Sequence, residues 1–275
     1  MNPAIYYFTG TGNSLALSRL VAERLGGELI PIASVIDRQR IESDADVIGI
    51  TFPVYYADLP NIVRRFAEKL HSAKGTYIFA ICNYGGGAGD SLKALARILE
   101  SRGTALSAGF GVHMPQNAFR KPWEMKWLAY KRAPKRADFI VRSVEEGKTG
   151  LFYSNVVIQA IMTPFQGWIR RMTALALGKA SSTPSPSGLT VEQLIPLAGK
   201  SFSADAKCTG CGMCARVCPV HNIEIVAKKP VWQNRCENCL ACFNWCPTSV
   251  IHGPLANSNY RYHHPDVTAL DIAAH

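Results

Sequence analysis

The chain has 275 residues, room for one large domain or two smaller ones, and its 48% hydrophobic and 18% charged content suits a globular protein with a core. Its formal charge is +10, but much of the excess is local: residues 119–142 hold Arg120, Lys121, Lys126, Lys131, Arg132, Lys135, Arg136 and Arg142 against Glu124 and Asp138. That distribution is not a nucleic-acid signature. It reads as a solvated helix face, or as a surface that steers an acidic partner or an anionic membrane.

The N-terminus enters directly into Ile5-Tyr6-Tyr7-Phe8, with no basic n-region or cleavage site, so no signal peptide is expected. From residue 4 to about 147, short apolar runs alternate with helical patterns. The strands predicted are Ala4–Phe8, Glu28–Pro31, Val47–Phe52, Thr76–Cys82 and Ala105–Val112. The helices predicted are Asn13–Leu25, Leu59–Leu70, Gly89–Arg102 and Pro134–Gly147. This alternation argues for a doubly wound α/β fold, a parallel five-stranded sheet in the flavodoxin-like order 2-1-3-4-5, with its ligand where the strand order reverses.

The first βα loop is Thr9-Gly10-Thr11-Gly12-Asn13-Ser14. Glycines let backbone approach a phosphate, the helix N-terminus offers unpaired N–H groups, and Thr9, Thr11 and Ser14 add hydroxyls. No Lys or Arg lies in Tyr6–Leu17, so these groups would hold the anion without a formal cation. A P-loop would need Lys where Asn13 stands, and a dinucleotide fingerprint would need glycine where Leu15 stands. The pattern [ST]-x-T-G-x-[ST] fits throughout and resembles the FMN phosphate loop of flavodoxins; an ordinary Gly-rich turn is the alternative. Two further loops leave the same sheet edge. Pro53-Val54-Tyr55-Tyr56-Ala57-Asp58 offers tyrosines to stack on a flat ring, and Asn83-Tyr84-Gly85-Gly86-Gly87 offers backbone amides. Cys82 is expected to be a buried structural thiol. His113 reads as a loop histidine, and Met114–Trp127 as a candidate lid.

Thr149–Ile169 carries no charged side chain, yet Asn155, Gln159, Pro164, Gln166 and Gly167 argue against a transmembrane span. The expectation is an amphipathic helical hairpin that packs on the first domain or forms a homodimer contact; an interfacial membrane helix with Arg170 and Arg171 at headgroup level is the alternative. Ser181–Gly188 is a Pro/Ser linker, and Val191–Leu197 a short adapter helix.

Eight of the nine cysteines follow in two runs, Cys208, Cys211, Cys214, Cys218 and Cys236, Cys239, Cys242, Cys246. Each has the spacing C-x-x-C-x-x-C-x-x-x-C-P, closed by Pro219 or Pro247, which is the run that holds [4Fe–4S] clusters in bacterial ferredoxins. Single C-x-x-C pairs often bind zinc, but two complete runs each followed by proline do not look like zinc ribbons. Gly210 and Gly212 keep side chains away from sulfur. The spacing also argues against a disulfide scaffold and for a reducing, anaerobic cytoplasm. Val220–Arg235 is long enough for a short hairpin between the runs. Adjacent histidines in an extended tail point opposite ways, so His263 and His264 are not expected to form a metal site.

Together, Tyr7–Ser14, Phe52-Pro53-Val54-Tyr55, Asn83-Tyr84-Gly85-Gly86 and both cysteine runs resemble a family of anaerobic bacteria and archaea in which a flavodoxin-like domain is fused to a dicluster ferredoxin. The resemblance implies a flavodoxin-like domain at 1–148, a connector and linker at 149–200, a ferredoxin domain at 201–252 and a tail at 253–275. It implies FMN in the first domain and two [4Fe–4S] clusters in the second. By the crossing seen in dicluster ferredoxins, one cluster is expected on Cys208, Cys211, Cys214 and Cys246, the other on Cys236, Cys239, Cys242 and Cys218. The function expected is relay of electrons between clusters, FMN and a redox protein partner. The rival is an FMN-dependent reductase of a small organic substrate, for which Tyr55, Tyr56, Tyr84 and His113 are candidate proton donors without a recognisable acid–base pair.

Overall fold

A computed structural model of the chain describes residues 1–118, 126–181, 188–253 and 259–273. It divides into two compact units. The first comprises Met1–Thr9, Asn13–Pro115 and Trp123–Gln166; the second comprises Gly10–Gly12, Gln116–Pro122 and Gly167–His275.

The first unit runs β1 (Pro3–Tyr7), α1 (Asn13–Leu25), β2 (Glu28–Pro31), α2 (Ile32–Val35), β3 (Ile41–Ser43), β4 (Val47–Pro53), α3 (Asn61–Lys69), β5 (Leu70–Ser72), β6 (Tyr77–Tyr84), α4 (Ser91–Ser101), β7 (Ala108–His113), α5 (Lys126–Glu145), β8 (Gly150–Tyr153) and α6 (Val156–Met162). Its main sheet has the order β2-β1-β4-β6-β7-β8, and every neighbouring pair is parallel. The first five strands follow the flavodoxin-like order, so the α/β doubly wound fold is present. β3 and β5 form a separate parallel pair.

The sheet has six strands, not the five expected. The sixth, β8, falls in the segment read as helical from its apolar content. Its position is explained by the strand beside it. The register sets Leu151 against Gly109 and Tyr153 against Gly111. A Cβ on either glycine would lie 2.6 Å from that partner's side chain, so only glycine lets both side chains cross β7. Between them Phe152 stacks on Phe110 at 5.4 Å, and Phe110 is fully buried, a burial worth about 2–3 kcal/mol. Helix α5 begins before its expected start at Pro134 and carries that proline inside it. Lys131, Arg132, Lys135 and Arg142 are exposed, whereas Arg136 is half-buried and donates to the Phe152 carbonyl at 2.7 Å.

The second unit contains α7 (Gln166–Ala180, from Gly167 onward), α8 (Val191–Leu197), β9 (Ser203–Ala204), α9 (Met213–Arg216), β10 (Ile223–Val226), β11 (Lys229–Trp232), α10 (Ala241–Asn244), β12 (Ile251–His252) and α11 (Ala269–Ala273). The adapter helix α8 opens on a capping box: the Thr190 hydroxyl accepts from Gln193 N, and the Gln193 side chain accepts from Thr190 N. The expected hairpin is β10–β11, turned by Ala227 and Lys228 at φ 47° and 62°. Most of the Pro/Ser linker and half of the candidate lid lie outside the described residues. Val156, Val157 and Ile161 on α6, and Trp168, Met172 and Leu175 on α7, are exposed. Among the described residues, no helix is long and apolar enough to cross a membrane.

Candidate metal centre and phosphate loop

The two cysteine runs fold alike. In the first, Gly210, Gly212 and His221 have φ of 71°, 74° and 47°; in the second, the matching Asn238, Leu240 and Ser249 have φ of 49°, 60° and 54°. Gly212 and Leu240 each start a four-residue helix, α9 or α10. The left-handed positions aim backbone N–H groups inward: Asn238 N donates to Cys236 Sγ, and Asn222 N to Cys218 Sγ, both at 3.2 Å. Gly210 is required by space as well, since its Cβ would stand 2.9 Å from the Lys228 carbonyl oxygen.

The fold sorts the cysteines across the runs. Cys208, Cys211, Cys214 and Cys246 line one pocket, with Gly210, Gly212, Ile225, Pro230 and Pro247 in its wall. Burial pushes the Cys214 thiol up to about 11, and its thiol neighbours are Cys211 and Cys246. The other four feel one another. Burial pushes Cys236 up to about 12, next to Cys218, and raises Cys239 and Cys242 well above the usual thiol range. Cys239 feels Cys218 and Cys236, and Cys242 feels Cys236, Cys239 and Cys218. Desolvated thiols like these stay protonated at neutral pH unless a metal takes the proton's place. Among the described residues, no group of three or more His, Cys, Asp or Glu side chains is gathered for a single metal ion.

Around both groups lies an apolar shell of Phe202, Ile223, Trp232, Phe243 and Ile251. Phe202 stacks on Trp232 at 5.8 Å, and the Arg261 guanidinium sits 3.4 Å from the centre of the Phe243 ring. This shell limits water around the sulfurs, one of the levers on cluster potential.

The loop Thr9–Ser14 is buried at Thr9, Thr11, Asn13 and Ser14. Its middle residues belong to the second unit. There Trp245 Nε1 donates to the Gly10 carbonyl at 2.9 Å, and His264 N donates to the Thr11 carbonyl at 2.8 Å. Gly12 has φ +98°, and its Cβ would meet Val267 Cβ at 2.9 Å. Neither Trp245 nor the tail was legible as part of this loop. The indole of Trp245 stacks on His263, ring centres 4.6 Å apart.

In the first unit, Asn83 ties three segments together. Its side-chain amide donates to Ser14 Oγ at 2.6 Å and to the Phe52 carbonyl at 3.1 Å, while its backbone carbonyl accepts from Val54 N at 2.8 Å. Ser14 accepts from Asn83, which directs its own proton elsewhere. Tyr55 and Asp58 exchange backbone bonds of 3.2 and 2.9 Å around Tyr56 and Ala57, both left-handed, so the turn presents Tyr56 at its tip. Tyr55 and Tyr56 are half-buried, with Pro53 and Val54 beside them. Tyr84 differs: it is buried, close to Gly111, and burial pushes its hydroxyl up to about 12. Gly85 and Gly87 are half-buried, Gly86 is exposed, and a Cβ on Gly86 would meet open space. Gln159 straps this loop from α6, accepting from Ala88 N at 3.2 Å and donating to the Gly89 carbonyl at 2.9 Å. His113 is exposed and edge-on to Tyr84 at 6.4 Å.

Residues 205–224, which include the whole first cysteine run, match a family model described as a 4Fe–4S binding domain. No curated protein matches the chain. Solved structures similar to it include a flavodoxin from the domain Archaea (14% identity over 53% of this chain and 99% of that one, TM-score 0.37). Others are a flavodoxin of Streptococcus pneumoniae TIGR4 (15%, 52% and 99%, 0.36) and the apo form of an NADH:FMN oxidoreductase, EmoB (13%, 52% and 89%, 0.36). These likenesses are faint, and the fold assignment rests on the strand order.

Proposed function

We propose that this chain is an iron–sulfur flavoprotein that passes electrons between two [4Fe–4S] clusters and FMN, and onward to a redox protein partner. The observation that supports the reading is the pocket lined by Cys208, Cys211 and Cys214 of one run together with Cys246 of the other. Cys208, Cys211, Cys214 and Cys246 would hold one cluster; Cys236, Cys239, Cys242 and Cys218 would hold the second. The clusters supply one-electron steps, and a flavin joins them to two-electron chemistry.

The chain's own residues would do the rest. N–H groups of Thr11 and Gly12, with hydroxyls of Thr9, Thr11 and Ser14, would bind the flavin phosphate, and Asn13 opens the helix whose N-terminus favours an anion. Tyr55 and Tyr56 would wall the ring, with Pro53 and Val54 at its edge, and Asn83 would hold the two strand-end loops in register. Gly85, Gly86 and Gly87 would leave room for backbone to meet the ring's polar rim. Tyr84 would support that loop from inside the unit. The exposed Lys131, Arg132, Lys135 and Arg142 would steer an acidic redox protein.

The test is anaerobic. The reconstituted protein is reduced with a low-potential donor and offered oxidants. Reoxidation by redox proteins, with small organic acceptors left unconsumed, is expected. Saturable, stoichiometric consumption of an organic acceptor would overturn the relay in favour of a reductase.

A further inference from the structure

We infer that the side-chain N–H groups of Asn222 and Trp232 donate to sulfur of the cluster proposed on Cys218, Cys236, Cys239 and Cys242, and raise its reduction potential. The inference rests on the two-cluster reading above and adds to it two residues that ligate no metal.

Both residues come from the open end of the β10–β11 hairpin. Trp232 pairs with Ile223, and Asn222 precedes that pair, its backbone carbonyl accepting from Gln233 N at 2.8 Å. Both are buried, and neither Asn222 Nδ2 nor Trp232 Nε1 has a hydrogen-bonding partner among the described residues. A buried donor is rarely left without one.

The surroundings point to sulfur. Asn222 N donates to Cys218 Sγ at 3.2 Å, and Asn222 Oδ1 accepts from Arg235 N, next to Cys236, at 2.6 Å. That second bond fixes which end of the amide is oxygen and leaves Nδ2 as the open donor. A Cβ on Gly199 would stand 3.3 Å from this Nδ2 and 2.8 Å from Cys236 Cβ, so both border the same point. Trp232 is held by its stack on Phe202, ring centres 5.8 Å apart and planes 20° apart. Burial raises the Cys242 thiol, and the Trp232 indole N–H stands close enough to oppose that rise without a fully formed hydrogen bond.

The first group of cysteines is walled differently. The fourth residue after the last cysteine of a run is Asn222 in one case and Val250 in the other. Val250, Ile225, Pro230 and Ile251 line the first group's pocket, and the hydroxyl near it, Thr248 Oγ1 at 3.7 Å from Cys246 Sγ, is exposed. Cys211 is exposed as well, whereas Cys218, Cys239 and Cys242 are buried. Burial disfavours the added negative charge of a reduced cluster, and N–H donors to sulfur favour it. Such donors act most strongly where water is excluded.

Trp232→Phe keeps an aromatic ring against Phe202 and deletes the donor. Midpoint potentials are measured by EPR-monitored redox titration of the full chain with clusters in place, with iron content in parallel. One of the two cluster potentials is expected to fall by about 30–60 mV, the one-electron equivalent of a 3- to 10-fold change, while the other stays put. The same fall is expected when Trp232→Phe is added to Cys208→Ala/Cys246→Ala, which removes two ligands of the first group. No shift, a rise, or equal shifts in both potentials would overturn the inference; an N–H satisfied by trapped water gives the first of these. Where Trp232→Phe loses iron, 3-benzothienylalanine at position 232, which keeps the bicyclic ring and exchanges N–H for sulfur, decides by the same titration. A wild-type chain that takes up fewer than about eight irons is a separate outcome and overturns the two-cluster reading, and the inference with it.

Discussion

A Cβ placed on Gly89 would lie 1.9 Å from the carbonyl oxygen of Ala57. Two loops meet there: the Tyr55–Asp58 turn and the segment entering α4, and Asp90 N donates to the same Ala57 oxygen at 3.0 Å. Gly89 is also left-handed, at φ +59°. Gly89→Ala should therefore cost about 2–4 kcal/mol, from overpacking and backbone strain together. The thermal midpoint measures this, and Gly86→Ala, in open space, serves as the near-neutral control.

The proposed crossed grouping of the cysteines makes a prediction that an uncrossed one does not. In the double variant Cys208→Ala/Cys246→Ala, both lost ligands belong to one group of four. The protein should keep the other cluster, with about four irons per chain. If each run held its own cluster, the same variant would damage both. Iron analysis and low-temperature EPR of the reduced protein distinguish the two.

Cys82 stands apart from the other thiols. It lies within β6, fully buried, and burial pushes it up to about 12. It should resist alkylation both with clusters bound and after chelators strip the iron, reacting only on unfolding. Mass spectrometry of iodoacetamide-treated protein reads this directly. Labelling of Cys82 in the native, iron-free chain would contradict its placement.

His264 gives the tail a pH dependence. Burial lowers its affinity for a proton below the ordinary histidine value, with Asp266 opposing weakly, and its Nδ1 accepts from Asp266 N at 3.3 Å. The unfolded chain binds the proton more readily, so this residue's contribution is complete above about pH 6.5 and is lost as pH falls below it. The thermal midpoint should drop between about pH 7.5 and 5.5. The drop should be smaller in His264→Gln.

Much of the fold was legible because its signals are local. The bounds of α1, β2 and α8 match the periodic runs that foretold them. The cysteine spacing carried the cluster motif because three ligands of each group lie within seven residues of one another. The sixth strand was not legible: Leu151-Phe152-Tyr153 resembles the start of an apolar helix until Gly109 and Gly111 are seen beneath it, about forty residues earlier. The inward turn of Tyr84 depends on Gly111 in the same way. Trp245 is hidden for a different reason. It sits inside a cysteine run, where it reads as packing, and its partner Gly10 is 235 residues away. A hydrogen bond from an indole to a carbonyl leaves no spacing rule in a sequence.

If one polypeptide carries two iron–sulfur cubes and one flavin, its composition shows it. Iron, acid-labile sulfide and FMN are to be quantified per chain in protein purified and reconstituted without oxygen. About eight irons, eight sulfides and one FMN are expected. Zinc in place of iron, about four irons alone, or full iron with no flavin retained would contradict it.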